Sequence, residues 1–177
     1  MEYHFSDKQR QRWNDILLGC LDRFMALCEE YDLTYYCVGG TVIGAVRHQG
    51  MIPWDDDIDI AMPRPDYDRF VDICRTHPMD DYELATPEME GYPYFFAKFC
   101  DCNTTLVELE NVPCLHGIFI DIFPMDGTAS DLDEARALVR RFKRWSNKIN
   151  ACLAHLSLKE YLSLFLQPKE YGRAVVQ

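Results

Sequence analysis

The sequence predicts an α+β fold, a mixed sheet with flanking helices and a helical C-terminal part. Three observations predict it. A capped segment with an apolar helical stripe comes first, short β-rich runs bounded by Gly, Pro or acids follow, and helical periodicity returns after residue 131. The 177 residues suit one domain, 1–177, with its core at about 30–127 and C-terminal helices at about 131–167.

Ser6-Asp7-Lys8-Gln9 reads as a capping box. Beyond it Trp13, Ile16, Leu17, Cys20, Leu21, Phe24, Leu27, Cys28 and Tyr31 recur at helical spacing, so this helix buries one face against a sheet. Leu33 to Val38 is aromatic and β-branched and predicts a strand, stopped by Gly39-Gly40. Thr41 to Arg47 predicts a short helix and His48 to Pro53 a loop. Ile58, Ile60 and Met62 alternate with acids, which marks a second strand. Pro65 suits the first turn of a helix turning Tyr67, Phe70, Val71 and Cys74 inward. Further strands are expected at Tyr82–Thr86, Tyr94–Phe99, Thr104–Glu108 and Gly117–Phe123, the last ended by Pro124. From Asp131 a long helix carries Leu132, Ala135, Leu138, Val139, Phe142, Trp145 and Ile149, and a second capping box at Ser157 opens a last helix towards Leu166.

Bulk properties exclude some functions. A net charge of −11 argues against nucleic acid as partner, since duplex binding needs a basic face. No apolar run approaches the roughly 20 residues of a membrane span. The N-terminus lacks the basic start and apolar centre of a signal peptide. A cytoplasmic location is expected, free or peripheral at the inner face of the membrane. The eight cysteines include no C-x-x-C pair, and Cys20 and Cys28 lie on the apolar stripe of the first helix. They are expected to be reduced and buried.

The chemistry concentrates between Val38 and Ile60 and again at Asp121. Alternate side chains of a strand share a face, so Asp57 and Asp59 point one way, joined by Asp55 if the strand starts early. Adjacent carboxylates repel unless a cation lies between them, and an all-oxygen site suits Mg²⁺ or Mn²⁺. A third carboxylate on a neighbouring strand would complete a two-ion site. Asp121, flanked by Phe119, Ile120, Ile122 and Phe123, is the candidate, because a lone acid among apolar neighbours needs a charged partner. A bare Asp-x-Asp is usually a solvated edge; the Gly-Gly turn upstream and the isolated Asp121 make this one functional. Gly39, Gly40 and Thr41 lie where a phosphate can approach backbone N–H groups at a helix start.

These residues, in this order, closely resemble the LicD family, which includes phosphocholine transferases and is related to the fukutin proteins. The family pattern is matched at Gly40-Thr41, Gly44-Ala45, Arg47-His48, Gly50 and Ile52 to Ile60. A second element is matched by Asp121-Ile122-Phe123-Pro124 and a middle one by Phe95-Phe96-Ala97-Lys98 with Asp101 and Thr104. The resemblance covers roughly residues 10 to 127. It implies a nucleotidyltransferase (polymerase-beta-like) fold and transfer of phosphocholine from a CDP-choline-like donor to a glycan acceptor of the cell envelope. Family members continue beyond the point where this chain stops, so Tyr171 to Gln177 is expected to be an interrupted segment and the domain a truncated one.

By two-ion logic Asp57, Asp59 and Asp121 would hold two Mg²⁺ or Mn²⁺ ions, and Asp121 could serve as general base. Asp55 ranks second as a ligand and Asp56 lower. Arg47 and Lys98 are candidate donors to phosphate oxygens. His48 is read as a loop residue without catalytic duty, and Trp54 as packing. A quaternary ammonium would call for aromatic faces, for which Tyr35, Tyr36, Tyr92 and Tyr94 are available. Two other readings stay open: passage of a nucleotide from an NTP to a protein or small molecule, and a non-catalytic binding or scaffold domain.

Overall fold

The computed structural model describes residues 6–107 and 116–153, except for the side chains of 149–153. The order is α1 (Asp7–Glu30), β1 (Tyr36–Cys37), α2 (Gly39–His48), β2 (Asp59–Pro63), α3 (Arg64–Thr76), β3 (Tyr82–Ala85), β4 (Ala97–Asp101), β5 (Phe119–Met125) and α4 (Leu132–Leu153). Among the described residues the strands form one five-stranded sheet in the order β1-β2-β5-β4-β3. The β2–β5 pair is parallel and the others are antiparallel. The chain divides into two compact units, Met1–Asp126 and Gly127–Gln177. The sheet lies in the first.

Ser6 caps α1 as expected: its Oγ accepts from Gln9 N at 3.4 Å, and Gln9 Oε1 accepts from Ser6 N at 2.9 Å. Leu17, Cys20, Phe24, Leu27 and Cys28 then turn to the core, at least one residue per turn, and meet Ile60, Phe99, Ile120 and Ile122 of the sheet. Cys20 and Cys28 are free thiols there, pushed up to about 12 by burial, so they stay protonated and inert. Phe70 of α3 is edge-on to both Phe24 and Phe99, which locks the two helices and the sheet into one core.

Several expected boundaries move. The first strand shrinks from Leu33–Val38 to Tyr36–Cys37, because Leu33 is drawn into the core after Asp32 takes a left-handed turn (φ 51°). The fourth strand shifts from Tyr94–Phe99 to Ala97–Asp101; Tyr92 to Phe96 form an aromatic turn instead, closed by the Tyr92 hydroxyl on Phe96 O at 2.9 Å. Thr104–Glu108 is not a strand over its described part: only Leu106 bridges, to His116. The last strand runs Phe119–Met125, through Pro124 rather than up to it. The reason is directional. Asp121 N donates to Ile58 O on the β2 side, so the missing N–H of Pro124 falls on the β4 side. There β4 has already ended opposite Ile122.

In the second unit, Asp131 Oδ1 accepts from Asp133 N and Glu134 N at 3.0 and 2.9 Å and opens α4 where the sequence reads it. The helix expected from Ser157 to Leu166, and the segment Tyr171 to Gln177, lie outside the described residues.

Candidate active site

Ile60, Phe99, Ile120 and Ile122 of the central strands face α1, so the residues between them face the other way. On that face the parallel register sets Asp59 beside Asp121, and the antiparallel register sets Lys98 beside Asp121 on its other flank. One rung of the sheet therefore reads Asp59, Asp121, Lys98, with neighbouring strands about 4.8 Å apart. Lys98 Nζ donates to Asp121 Oδ1 at 2.8 Å, with the two side chains 2% and 13% exposed. The ammonium lies 3.3 Å from the Phe119 ring centre and 4.4 Å from that of Tyr94, so aromatic faces enclose it. Sequence reasoning treats Lys98 as a donor to phosphate. The structure places it beside Asp121, where it compensates the isolated carboxylate.

Asp57 precedes β2, which begins only at Asp59. Ile58 O accepts from Asp121 N, keeping the backbone extended, and Ile58 and Ile60 are buried as alternation requires. Asp55, Asp56 and Asp57 each offer a carboxylate oxygen within 4.8 Å of the others, so both lower-ranked acids stand close to Asp57. Two α1 side chains hold this acidic loop by its backbone: Trp13 Nε1 donates to Asp56 O at 2.9 Å and Arg10 Nη1 to Asp55 O at 3.4 Å. Neither was identifiable as a site residue, since Trp13 matches the core periodicity and Arg10 an ordinary exposed cation.

The glycines make room for these acids. Gly39 has φ +57°, and a Cβ there would lie 2.7 Å from Asp59 Oδ2; one on Gly40 would collide with Asp55 Oδ2. Both belong to the first turn of α2 rather than to a separate turn before it. Thr41 Oγ1 accepts from Asp59 N at 2.8 Å and so fixes the start of β2. Gly44 also has a reason: a Cβ would come within 2.6 Å of Gly50 O, where the acidic loop's approach packs on α2. Arg47 lies in the last turn of α2, the opposite end from Gly39 and Gly40, with Nε donating to His48 Nδ1 at 3.3 Å. His48 is edge-on to Trp54, which is 72% exposed and not packed into the core.

Beside α2 a cavity of about 360 Å³ runs from Gly40 and Thr41 to Gly50 and Met51. Its walls are mostly apolar, among them Leu18, Leu21, Ala45 and Ile58. Asp55 and Asp57 are its charged lining residues, with no Lys, Arg or His. Of the four tyrosines, Tyr35 packs on Phe24, Tyr92 and Tyr94 are edge-on to each other over the Lys98 side, and Tyr36 is exposed on the edge strand.

The carboxyls of Asp57 and Asp59 are both pushed up to about 6. Burial is the largest cause for each; the charges of Asp59, Asp55 and Asp56 add to it at Asp57, and those of Asp121 and Asp55 at Asp59, where Lys98 opposes them. The folded chain without metal thus holds protons that an unfolded carboxylate, with a pKa near 3.9, has released. Its stability is greatest below about pH 4 as far as these two groups are concerned, and falls as pH rises through about 6. Urea midpoints without metal are expected to drop across that window, and less steeply for Asp59→Asn. An equal slope in the two proteins would contradict the crowding of charge at Asp59.

Residues 32–146 match the family described as LicD/FKTN/FKRP, nucleotidyltransferase domain. The chain is 37% identical over 139 residues to the lipopolysaccharide cholinephosphotransferase LicD of Haemophilus influenzae, an alignment covering 77% of this chain and 52% of that protein. Uncharacterised proteins of Rickettsia typhi and Rickettsia prowazekii are 45% and 48% identical over 47 and 40 residues, 27% and 23% of this chain and 15% of each of theirs. The chain spans about half the length of the Haemophilus relative and a smaller share of the other two.

Proposed function

The chain belongs to the LicD/FKTN/FKRP nucleotidyltransferase-domain family, and on that premise we propose a metal-dependent transferase of nucleotidyltransferase fold that moves phosphocholine from a CDP-choline-like donor to a glycan hydroxyl of the cell envelope. The observation that carries this reading is the register of Asp59 with Asp121, next to the carboxylates of Asp55, Asp56 and Asp57. Oxygen ligands of this kind fit Mg²⁺ or Mn²⁺, and the raised pKa values of Asp57 and Asp59 reflect burial first and, after it, crowded charge that a cation would relieve. Asp57, Asp59 and Asp121 would hold the ions, with Asp55 in support. Bound there, two ions would neutralise the donor diphosphate and the acceptor oxygen.

The chain's own groups account for the rest. Backbone N–H groups of the first turn of α2, at Gly39, Gly40 and Thr41, receive a phosphate of the donor. The acceptor oxygen bonds to the choline-bearing phosphorus, the bond to the CMP oxygen breaks, and the acceptor proton passes to Asp121 as general base. Lys98 keeps Asp121 oriented for that step through Oδ1. The apolar cavity with its two carboxylates and no cation suits a trimethylammonium group, which is large, weakly hydrated and positive. Arg47, in the last turn of α2, remains a candidate for the nucleotide end of the donor.

Mg²⁺ or Mn²⁺ is expected to stabilise the fold, by about 2.7 kcal/mol at roughly a hundred times its Kd. Asp59→Ala should lose most of the rise in melting temperature. A melting curve indifferent to millimolar metal in the wild type would instead support a non-catalytic scaffold. The family's nucleotidyltransferase description favours one further reading, passage of a nucleotide from an NTP. Products separate the two, since that reaction releases pyrophosphate and the proposed one CMP.

A further inference from the structure

Helix α4 has two faces of opposite chemistry. At 100° per residue, Leu138, Val139, Phe142 and Trp145 fall on one side, and Val139, Phe142 and Trp145 are 53%, 55% and 58% exposed. Arg136, Arg140, Arg141, Lys143, Arg144 and Lys148 fill the other half of the circle. Arg136 is paired with Asp133 at 3.2 Å in the first turns, but no acidic residue lies between Arg140 and Lys148. Five cations therefore occupy nine residues, in a chain whose net charge is −11. Lys148 Nζ lies 4.3 Å from the Trp145 ring centre, marking the border between the faces with an aromatic ring and a cation together. No described helix is long and apolar enough to cross a membrane.

We infer that α4 is a membrane-surface helix that lays its Leu138–Trp145 face into an anionic phospholipid bilayer, with its cations among the headgroups. The charge decides the occupant. An apolar face alone would suit a second copy or another protein, but five cations flanking it, with no acid among them in the sequence, match a dense anionic surface. The rest of the chain is acidic and would be repelled by such a surface, so attraction, if found, comes from this helix. The inference is independent of the reaction proposed above.

The test is co-sedimentation of the full chain with phosphatidylcholine vesicles, with and without phosphatidylglycerol. Binding is expected only when phosphatidylglycerol is present, and should weaken with salt. Arg140→Glu with Arg144→Glu should lower the affinity at least about tenfold. Phe142→Ser with Trp145→Ser should do the same while leaving the charge unchanged. These variants alter exposed side chains, so circular dichroism should show helix and sheet content retained. A chain that stays in solution with phosphatidylglycerol vesicles overturns the inference. So does binding that survives both pairs of substitutions, or light scattering showing a dimer through α4 with no vesicle binding.

Discussion

Asp59→Asn is expected to lower metal-dependent release of CMP from CDP-choline by about 10²- to 10³-fold, the range seen when one preorganised electrostatic group is lost from an active site. The substitution keeps the side-chain size and removes one charge at the centre of the constellation. Asp59 is the residue that links the two halves of the site: it lies in register with Asp121 and feels the charge of Asp55. Without metal the same variant should melt higher than the wild type, because repulsion from Asp121 and Asp55 has gone. A gain in stability together with a loss of turnover is the signature of a functional acid, as a merely structural one would lose stability. Initial rates at saturating metal, paired with melting curves in chelator, measure both.

Lys98→Met carries the second large effect. It leaves Asp121 without the cation 2.8 Å away, on a rung where the ammonium is almost wholly enclosed. Breaking such a pair from one side costs about 3 kcal/mol or more, most of it the penalty of a stranded charge. Urea unfolding without metal should show that loss, and Lys98→Met with Asp121→Leu should recover much of it, since two apolar groups strand nothing. Mg²⁺ is expected to stabilise the Lys98→Met chain more than the wild type, as the ion then supplies charge that Lys98 supplied. A loss below about 0.5 kcal/mol, the level of an ordinary surface substitution, would mean that the pair does not sustain Asp121.

The contrast between Lys98 and Asp121 shows how far the residues alone could lead. Asp121 stood out because an acid amid Phe119, Ile120, Ile122 and Phe123 is costly without a partner, and that argument is local. Its partner is 23 positions away, and only the β4–β5 register brings it there. The α1 helix was legible for a local reason too, its capping box and stripe needing no tertiary information. Strand limits were not local: Leu33 left β1 for the core, and Pro124 entered β5 because its neighbour β4 stops early. The glycine pair was recognisable as a place of close approach to the backbone, but the two carboxylates of the protein that lie against it, Asp59 at Gly39 and Asp55 at Gly40, come from the folded loop and strand. Arg47 sits in the same sequence run as the acids, yet the ten residues of α2 set it at the other end of the helix.

Which bond the site breaks is tested most directly by ³¹P magnetic resonance of CDP-choline incubated with the chain and Mg²⁺. The expected result is loss of the two diphosphate signals and growth of CMP and phosphocholine, with water standing in for the glycan, at a rate that falls to background with chelator or with Asp59→Asn. Diphosphate signals that persist unchanged with Mg²⁺ bound, or a triphosphate that is instead converted to pyrophosphate, would contradict it.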